Sequence, residues 1–401
     1  MKKILLIALI FSSITLVKAQ ADFEKRLQTQ LIEVENGQNI EITEGSFSLT
    51  KSLSMDGKKS ITIRGKGMDK TILSFKNQTS GAEGLRITNC ENITLEDMTV
   101  QDSKGDLIKT MHVNGITFRR VKAEWTGKVS SKNGGYAFYP VQCSNVTIDG
   151  CTARGASDAG IYVGQSRTIV VKNCLATENV AGIEIENSLF AEVFDNTATN
   201  NTGGILVFDL PDLVQKKGGN VRVFNNKIFE NNLSNFAPKG NIVAKVPKGT
   251  GVLILATNHV EVFNNQILNN QSASVGIISY FMTENPIKDS LYYPYPVYIN
   301  VHDNTFERRR ERATSQGRFG KIFLFKLKFG KDVPHVLYDG IVDPKLKKAN
   351  ENIPYGNSSN ICIKNNKNQS IGNMDAANGF KNVSRDQSSY DCSYGKSPFS
   401  R

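Results

Sequence analysis

The sequence predicts an all-β solenoid, a parallel β-helix with a helical cap at its N-terminal end, on three observations. A pattern of alternating apolar residues followed by a polar pair recurs from Ile93-Thr94-Leu95 to Ile361-Cys362-Ile363. The spacing of this pattern returns to 23 residues, and insertions lengthen it in places. Glycine and β-branched residues are frequent, whereas aromatic residues make up only 8% of the chain. This composition suits many short strands joined by tight turns.

The period becomes measurable when the residue after each polar pair is taken as a phase mark. Successive marks are 23, 30, 23, 23, 30, 39, 39 and 62 residues apart; they are Met98, Val121, Cys151, Cys174, Thr197, Lys227, Gln266, Thr305 and Lys367. One coil cannot bury its own apolar side, but coils stacked about 4.8 Å apart can do so for one another. The sequence therefore predicts coils of about 22–23 residues whose equivalent residues form ladders along the axis.

Two ladders are predicted to be structural. Asparagine recurs at one position of the pattern, at 173, 196, 226, 265, 304 and 366, and stacked amides can bond along the axis. Cys151 and Cys174 share a position one coil apart, and we expect them to point inward as small apolar residues. Cys362 and Cys392 could form a disulfide that ties the tail to the last coil.

The two ends of the chain differ from the repeats. Residues 1–19 have the two lysines, apolar stretch and small-residue site of a cleaved signal peptide, which predicts export to the periplasm or the outside of the cell. Residues 20–36 have helical periodicity and should form the cap. We expect the β-helix over 37–305, an inserted basic loop or hairpin over 306–356, a last coil over 357–371 and a loosely packed tail over 372–401.

The net charge of the chain indicates which classes of partner it can bind. The formal net charge is +11, and loss of the signal peptide would leave +8. Much of it lies at residues 308–312 and 321–331. A basic exported protein is better matched to anionic glycans or an anionic envelope surface than to nucleic acid. The chain has no apolar segment long enough to span a membrane after the signal peptide. The oligomeric state is left open.

Residues 37–75, with their apolar strands, Gly-x-apolar steps and closing Thr71-Ile72-Leu73, resemble the first coils of β-helical polysaccharide lyases, glycosidases and C5-epimerases. Residues 84–305 are similar to the parallel β-helix repeat family that includes alginate epimerases and periplasmic maturation proteins. The resemblance implies a right-handed parallel β-helix, and it implies polysaccharide as substrate or ligand. Since one fold hosts many functions, a site must decide the chemistry.

Aligned coils predict one outward face with a cluster of polar side chains. Its first row reads Arg86, Lys109, Tyr139, Tyr162, Glu184 and Leu206; a second row, three residues later, reads Asn89, His112, Gln142, Gln165, Asn187 and Asp209. Glu186 lies on the same strand as Glu184, and Asp158 lies in a turn beside this face. Six stacked coils make a face about 25 Å long, which suits a groove for several sugar units.

The face supports more than one chemistry. We predict Tyr162, Glu184, Lys109, His112 and Tyr139 as catalytic candidates, and Arg86, Gln142, Asp158, Gln165, Glu186, Asn187 and Asp209 as substrate-binding candidates. Removal of a uronate C5 proton by a lyase or epimerase needs a base and a group that neutralises the carboxylate. Glu184 with Glu186 or Asp209 could instead be a glycosidase pair.

No cofactor is predicted, and the four histidines are too dispersed for a metal site. Glu184, Glu186 and Asp209 could hold calcium. Two further functions stay open: a non-catalytic envelope protein that binds glycans or a partner protein, and a periplasmic maturation factor.

Overall fold

A computed structural model describes residues 22–349 and 357–392. The predicted signal peptide lies outside these residues. Parallel strands wind through successive coils and form three faces, each made of equivalent strands from neighbouring coils. None of the described helices has the length and apolar character needed to cross a membrane.

The first face is a sheet of eleven strands. Its members are β3 (Lys51–Asp56), β6 (Ser80–Thr88), β8 (Ile108–Met111), β10 (Tyr136–Val141), β13 (Ala159–Gly164), β16 (Ala181–Glu186), β19 (Gly203–Phe208), β22 (Thr250–Leu255), β25 (Ala273–Ile278), β28 (Val336–Tyr338) and β30 (Ile371–Asn373). Every pairing within it is parallel, and Ala159 of one coil is level with Ala181 of the next, which gives a 22-residue step.

The other two faces belong to one nineteen-stranded sheet. The second face holds β1 (Asn39–Glu41), β4 (Lys59–Arg64), β11 (Ser144–Asp149), β14 (Arg167–Lys172), β17 (Leu189–Phe194), β20 (Gly219–Phe224), β23 (Asn258–Phe263), β26 (Val297–His302) and β29 (Ile361–Lys364). The third face holds β2 (Gly45–Ser48), β5 (Thr71–Ser74), β12 (Thr152–Arg154), β15 (Leu175–Thr177), β18 (Thr197–Thr199), β21 (Lys227–Phe229), β24 (Gln266–Leu268) and β27 (Thr305–Glu307). The long strands β7 (Glu91–Gln101) and β9 (Asn114–Glu124) run through both faces.

A corner separates each face from the next, and the chain turns there with a residue of positive φ. One coil shows all three: Gln165 (φ 51°) after the first face, Asn173 (φ 54°) after the second and Glu178 (φ 57°) after the third. Left-handed backbone is costly for most residues but tolerable for asparagine, which explains why asparagine is so frequent here. The inward alternate residues, such as Ile161, Ile183 and Ile205, are fully buried in one continuous core.

The asparagine ladder exists, but its first member was assigned wrongly. Asn196, Asn226, Asn265, Asn304 and Asn366 are buried, and each amide bonds to the next coil. Asn173 is exposed at the corner, because the step from Cys174 to Asn196 is 22 residues rather than 23. Cys174 and Cys151 therefore continue this ladder as buried free thiols, as predicted. A second ladder, of Asn179, Asn201, Asn231 and Asn270, follows the third corner.

The N-terminal cap is a helix, α1, over residues 22–33. Leu27 and Leu31 are buried against the first coil, and the ring of Phe23 stacks on Phe47 with a centroid distance of 3.7 Å. The predicted helical cap is confirmed, and these three residues cover the open end of the core.

The C-terminal region departs from the prediction in two ways. The predicted insertion 306–356 contains β28, which returns to the first face, together with the short helices α2 (Gly317–Lys321) and α3 (Pro344–Ala349). The described part of the tail is fastened rather than loose. Cys362 and Cys392 form a disulfide, and Tyr390 is buried against the last coil.

The insertions occur at only two of the three corners. Residues 230–249 and 308–335 lie between the third and first faces, and residues 209–218, 279–296 and 339–360 lie between the first and second faces. The corner between the second and third faces stays short in every coil that crosses it. The outer side of the first face is thus the side that the insertions flank, and the candidate site lies there.

Candidate functional site

The predicted outward row lies on the first face in the predicted register. Strand pairing aligns Arg86 with Lys109, Lys109 with Tyr139, Tyr162 with Glu184 and Glu184 with Leu206. The two halves join because Phe138 is level with Ile161, which places Tyr139 beside Tyr162. The row therefore continues without a shift across six coils.

The first half of the row is open to solvent. Arg86 is exposed, and Lys109 and Tyr139 are half-buried. The ammonium group of Lys109 lies 4.9 Å from the centroid of the Tyr139 ring and 3.7 Å from Oε1 of Glu83. We call the surface formed by Arg86, Lys109 and Tyr139 the open strip. Its cationic and aromatic groups lie on adjacent coils. Such groups are suited to acidic sugars, because the cations can pair with carboxylates while the ring contacts the sugar face.

The second predicted row occupies the corner after the first face. His112, Gln142, Gln165 and Asn187 all have positive φ. Exposed His112 bonds through Nε2 to Oε1 of Gln142, at 2.7 Å, beside the open strip.

Two members of the second row have a different environment from the one predicted. Gln165 accepts a hydrogen bond from the backbone N–H of Val214, and fully buried Asn187 bonds to the backbone of Leu210 and Gln215. Both side chains fasten the insertion after β19 instead of facing an open groove.

The second half of the predicted groove is covered, so the prediction of one open face over six coils is wrong. Tyr162 is 4% exposed, and Glu184 and Asp209 are each 1% exposed. Insertions supply the cover: Asn241 donates a hydrogen bond to Oδ2 of Asp158 (2.8 Å), and the hydroxyl of Tyr292 donates to the carbonyl of Asp209 (2.5 Å). Apolar side chains of these insertions form a second, outer core over the first face.

Under this cover lies a cluster of four buried carboxyl groups, Asp158, Glu184, Glu186 and Asp209. Burial raises the pKa of Asp158 to about 7, and the nearby Asp106 carboxyl adds to the shift. Burial likewise raises the pKa of Glu186 to about 7 and that of Asp209 to about 7. Loss of solvation disfavours the charged form, and like charges reinforce the effect. Near neutral pH these groups can therefore exchange protons.

Glu184 is the most extreme member of the cluster. Neither of its carboxyl oxygens has a hydrogen-bond partner among the residues that the structure describes. Burial first, then the charges of Asp158 and Glu186, raise the pKa of Glu184 well above its ordinary value. Glu186 differs because its Oε1 accepts a hydrogen bond of 2.6 Å from the Tyr162 hydroxyl. Burial thus shifts Glu184 towards its protonated form, while Glu186, with a pKa of about 7, is poised between its two states.

Of the two roles open to the tyrosines, base or acid, their raised pKa values favour that of proton or hydrogen-bond donor. Burial raises the pKa of Tyr139 to about 12 and that of Tyr162 well above its ordinary value. Their hydroxyls therefore stay protonated and act as hydrogen-bond donors. Tyr136, which the prediction missed, completes the group; its ring centroid lies 4.4 Å from that of Tyr139 and 4.5 Å from that of Tyr162.

Asp106 is a second group that the sequence prediction missed. It is half-buried beside the open strip, accepts a hydrogen bond from the backbone N–H of Tyr136 (3.1 Å), and burial raises its pKa to about 6. The sequence did carry a signal for both omissions. Glu83, Asp106 and Tyr136 each stand three residues before a member of the first row, so reading that column as well would have brought them together.

The described residues contain no group of three or more His, Cys, Asp or Glu side chains arranged to hold a metal ion. Glu184, Glu186 and Asp209, considered above as calcium ligands, form no such group in the structure. Glu186 is engaged by Tyr162, and Oδ1 of Asp209 accepts a hydrogen bond from the backbone N–H of Gly218 (2.8 Å).

Comparison with known proteins agrees with the fold. Residues 32–215 match the family model described as "Right handed beta helix region". The A-module of mannuronan C-5 epimerase AlgE4 from Azotobacter vinelandii superimposes with a TM-score of 0.51 at 14% identity, covering 84% of this chain and 88% of that one. PfbA, a surface adhesin of Streptococcus pneumoniae, superimposes with a TM-score of 0.51 at 10% identity, covering 73% of this chain and 76% of that one.

A curated relative is the pre-neck appendage protein of Bacillus phage B103. It is 24% identical over 209 residues, which cover 43% of this chain and 24% of that protein. The chain thus matches about a quarter of the relative's length. An epimerase and an adhesin share this architecture, so the likeness establishes the fold and leaves the activity to the site. In architecture, the chain is a right-handed parallel β-helix protein.

Proposed function

We propose that the chain is an exported enzyme that acts on an acidic polysaccharide along the first face. The observation that carries the proposal is that two groups of side chains meet on the first face. The open strip, with Arg86, Lys109 and Tyr139, ends where the carboxyl cluster begins. A polymer lying on the strip would present its sugars to groups whose pKa values lie near neutrality.

The proton-transfer groups of this proposal are Asp106 and Asp158. Asp106 is half-buried, and Asp158 is buried two coils further along the first face, where Asn241 donates a hydrogen bond to it; the pKa values of the two are raised to about 6 and about 7. A carboxyl group with such a pKa is a stronger base than an ordinary carboxylate, and at neutral pH it also supplies a proton-donating fraction. In addition to burial, Asp158 in turn raises the pKa of the deeper Glu184 and Glu186.

The two cations of the open strip, Arg86 and Lys109, indicate the class of reaction. Removal of the proton beside a uronate carboxylate requires that the charge developing on that carboxylate be stabilised. Arg86 and Lys109 stand on adjacent coils, about 4.8 Å apart along the axis, and can pair with the carboxylate of a bound uronate. Proton abstraction from C5 is the first step of both elimination and epimerisation, so the proposal covers a lyase or a C5-epimerase.

The test is incubation of the purified protein with alginate and pectate in D2O, between pH 6 and pH 8. Deuterium incorporated at C5 reports epimerisation, and absorbance of unsaturated uronate reports elimination, which leaves a C4–C5 double bond and no hydrogen at C5. Asp106→Asn and Asp158→Asn should each lower the rate at which the observed product forms by about a hundredfold or more. Asp195→Asn, at an exposed corner away from the first face, is the matched control and should retain full activity.

The partly exposed rings of Tyr136 and Tyr139 favour one alternative, a non-catalytic glycan-binding protein. In that case neither polymer would exchange its C5 proton or release reducing ends. Affinity would nevertheless be lost in Tyr139→Ala and retained in Asp106→Asn. That combination of results would overturn the enzymatic proposal and leave the binding surface in place.

A further inference from the structure

The insertion after β27 carries an exposed apolar tip. Helix α2 leads into a π-helical turn, Ile322–Leu327, in which Ile322, Phe323 and Leu327 are buried in the outer core. Because these three side chains point inward, Leu324 and Phe325 point outward and are 46% and 64% exposed. Exposure of two adjacent large apolar side chains on a rigid turn is unfavourable in water, so this tip is a candidate contact surface.

Positive charge surrounds the tip. Residues 312–331 contain six basic residues and no acidic one. Lys321, Lys326, Lys328 and Lys331 are exposed around Leu324 and Phe325. Two acidic groups of this region are engaged with arginines, since Glu284 pairs with Arg318, and Asp332 lies 3.4 Å from Arg310. The lysines thus form a cationic ring around an apolar centre.

A cavity of about 680 Å³ adjoins this ring. Three cations, Lys248, Arg312 and Lys328, line it together with one acidic residue, Glu311, and Phe323 and Phe329 form its apolar part. A space of this size, with cations at its rim, matches an anionic head group better than a neutral one. The cavity lies at the opposite end of the first face from the open strip, so it is distinct from the proposed active site.

We propose that the tip formed by Leu324 and Phe325, with its ring of lysines, docks the protein onto the surface of an anionic phospholipid membrane. Apolar side chains that enter the head-group region and cations that pair with acidic lipids are the two components of reversible membrane association. A soluble polyanion would engage the lysines but would gain nothing from the two apolar side chains. That difference selects a membrane as the occupant.

The test is co-sedimentation of the full chain with vesicles. Binding is expected to phosphatidylcholine vesicles that contain phosphatidylglycerol, and not to phosphatidylcholine alone. The double variant Leu324→Ser/Phe325→Ser and the double variant Lys326→Glu/Lys328→Glu should each weaken partitioning by about tenfold or more. All four positions are exposed, so both variants should keep the circular dichroism spectrum and unfolding midpoint of the parent protein.

The matched controls are Val214→Ser, an 81% exposed apolar residue on another insertion, and Lys367→Glu on the third face. Both should bind vesicles like the parent protein. Failure of the parent protein to bind phosphatidylglycerol vesicles would overturn the proposal. It would equally be overturned if dextran sulfate competed fully while Leu324→Ser/Phe325→Ser bound normally, because the surface would then be a polyanion site. Neither result bears on C5 proton exchange, so this proposal and the enzymatic one fail separately.

Discussion

The hydroxyl of Tyr162 donates a 2.6 Å hydrogen bond to Oε1 of Glu186, in a cluster where the neighbouring Glu184 has no such donor among the described residues. This hydrogen bond lowers the pKa of Glu186 against the effect of burial, whereas burial raises the pKa of Glu184 well above its ordinary value with no donor to oppose it. The Tyr162 hydroxyl therefore distinguishes the two glutamates.

The variant Tyr162→Phe removes that donor. We expect a cost of about 1–3 kcal/mol in the free energy of unfolding, because a buried acceptor is left without its partner. The hydrogen bond lowers the pKa of Glu186 and so stabilises the charged form. The cost should therefore be larger at pH 8 than at pH 5, as measured by urea unfolding. An equal cost at both pH values would contradict this assignment.

The cluster also sets how stability changes with pH. The pKa values of Asp158, Glu186 and Asp209 rise from ordinary values of 3.8, 4.5 and 3.8 to about 7 on folding. The folded state then binds protons more tightly than the unfolded state, so these groups contribute stability that is fully present below about pH 4 and is lost as pH rises through 7. Urea midpoints should fall between pH 5 and pH 8; a rise over this interval would refute the expectation.

Replacing Glu184 should restore part of the folding stability that is lost as pH rises. Glu184→Gln keeps the shape of the side chain but removes one ionisable group from the cluster. Since each unit by which burial raises a carboxyl pKa corresponds to about 1.4 kcal/mol, the variant should be more stable than the parent at pH 8 and unchanged at pH 5. Glu307→Gln, an exposed position on the third face, should show no gain at either pH.

The asparagine ladder gives a prediction that checks the corrected register. Asn265 is 1% exposed, and its amide bonds Asn226, Asn304 and the carbonyl of Val223. Asn265→Ala should cost about 3 kcal/mol or more, because several buried groups lose their partners. Asn173→Gly, at an exposed corner that glycine can adopt, should cost less than about 1 kcal/mol. Equal costs in urea unfolding would mean that Asn173 belongs to the ladder after all.

The disulfide between Cys362 and Cys392 should protect the C-terminal tail from proteolysis. It closes a segment with a sequence separation of 30, for which loss of the cross-link costs up to about 3–4 kcal/mol. In Cys362→Ser/Cys392→Ser we expect rapid proteolysis within residues 374–392, with the preceding coils still resistant. Mass spectrometry of the fragments would show this. Resistance equal to that of the parent would mean that packing around Tyr390 holds the tail by itself.

Much of this architecture could be predicted because the repeat is nearly regular. A coil of 22–23 residues determines which side chains lie level, and the row from Arg86 to Leu206 followed directly. The same regularity caused the error at Asn173. A coil shortened by one residue shifts the register, and polar pairs such as Lys172-Asn173 and Asp195-Asn196 look equivalent in sequence.

Burial of the site could not be predicted from the repeat. Whether Glu184 faces water depends on where the insertions around Asn241 and Tyr292 fold back, and insertions carry no periodic signal. The three-residue strand Val336–Tyr338 was missed for a similar reason, because it is too short to show alternation. Periodicity thus predicts the scaffold, whereas the side chains that enclose the site come from its interruptions.

The absence of insertions between the second and third faces has a practical consequence. From β11 to β27 each coil crosses that corner with a turn of two residues, so this part of the chain could be cut and rejoined there without changing the geometry on either side. Whole coils should therefore be removable, duplicated or exchanged as modules at this seam, for example between Asp149 and Lys172. A shortened or lengthened scaffold made in this way would alter the length of the open strip while retaining the chemical groups of the remaining coils.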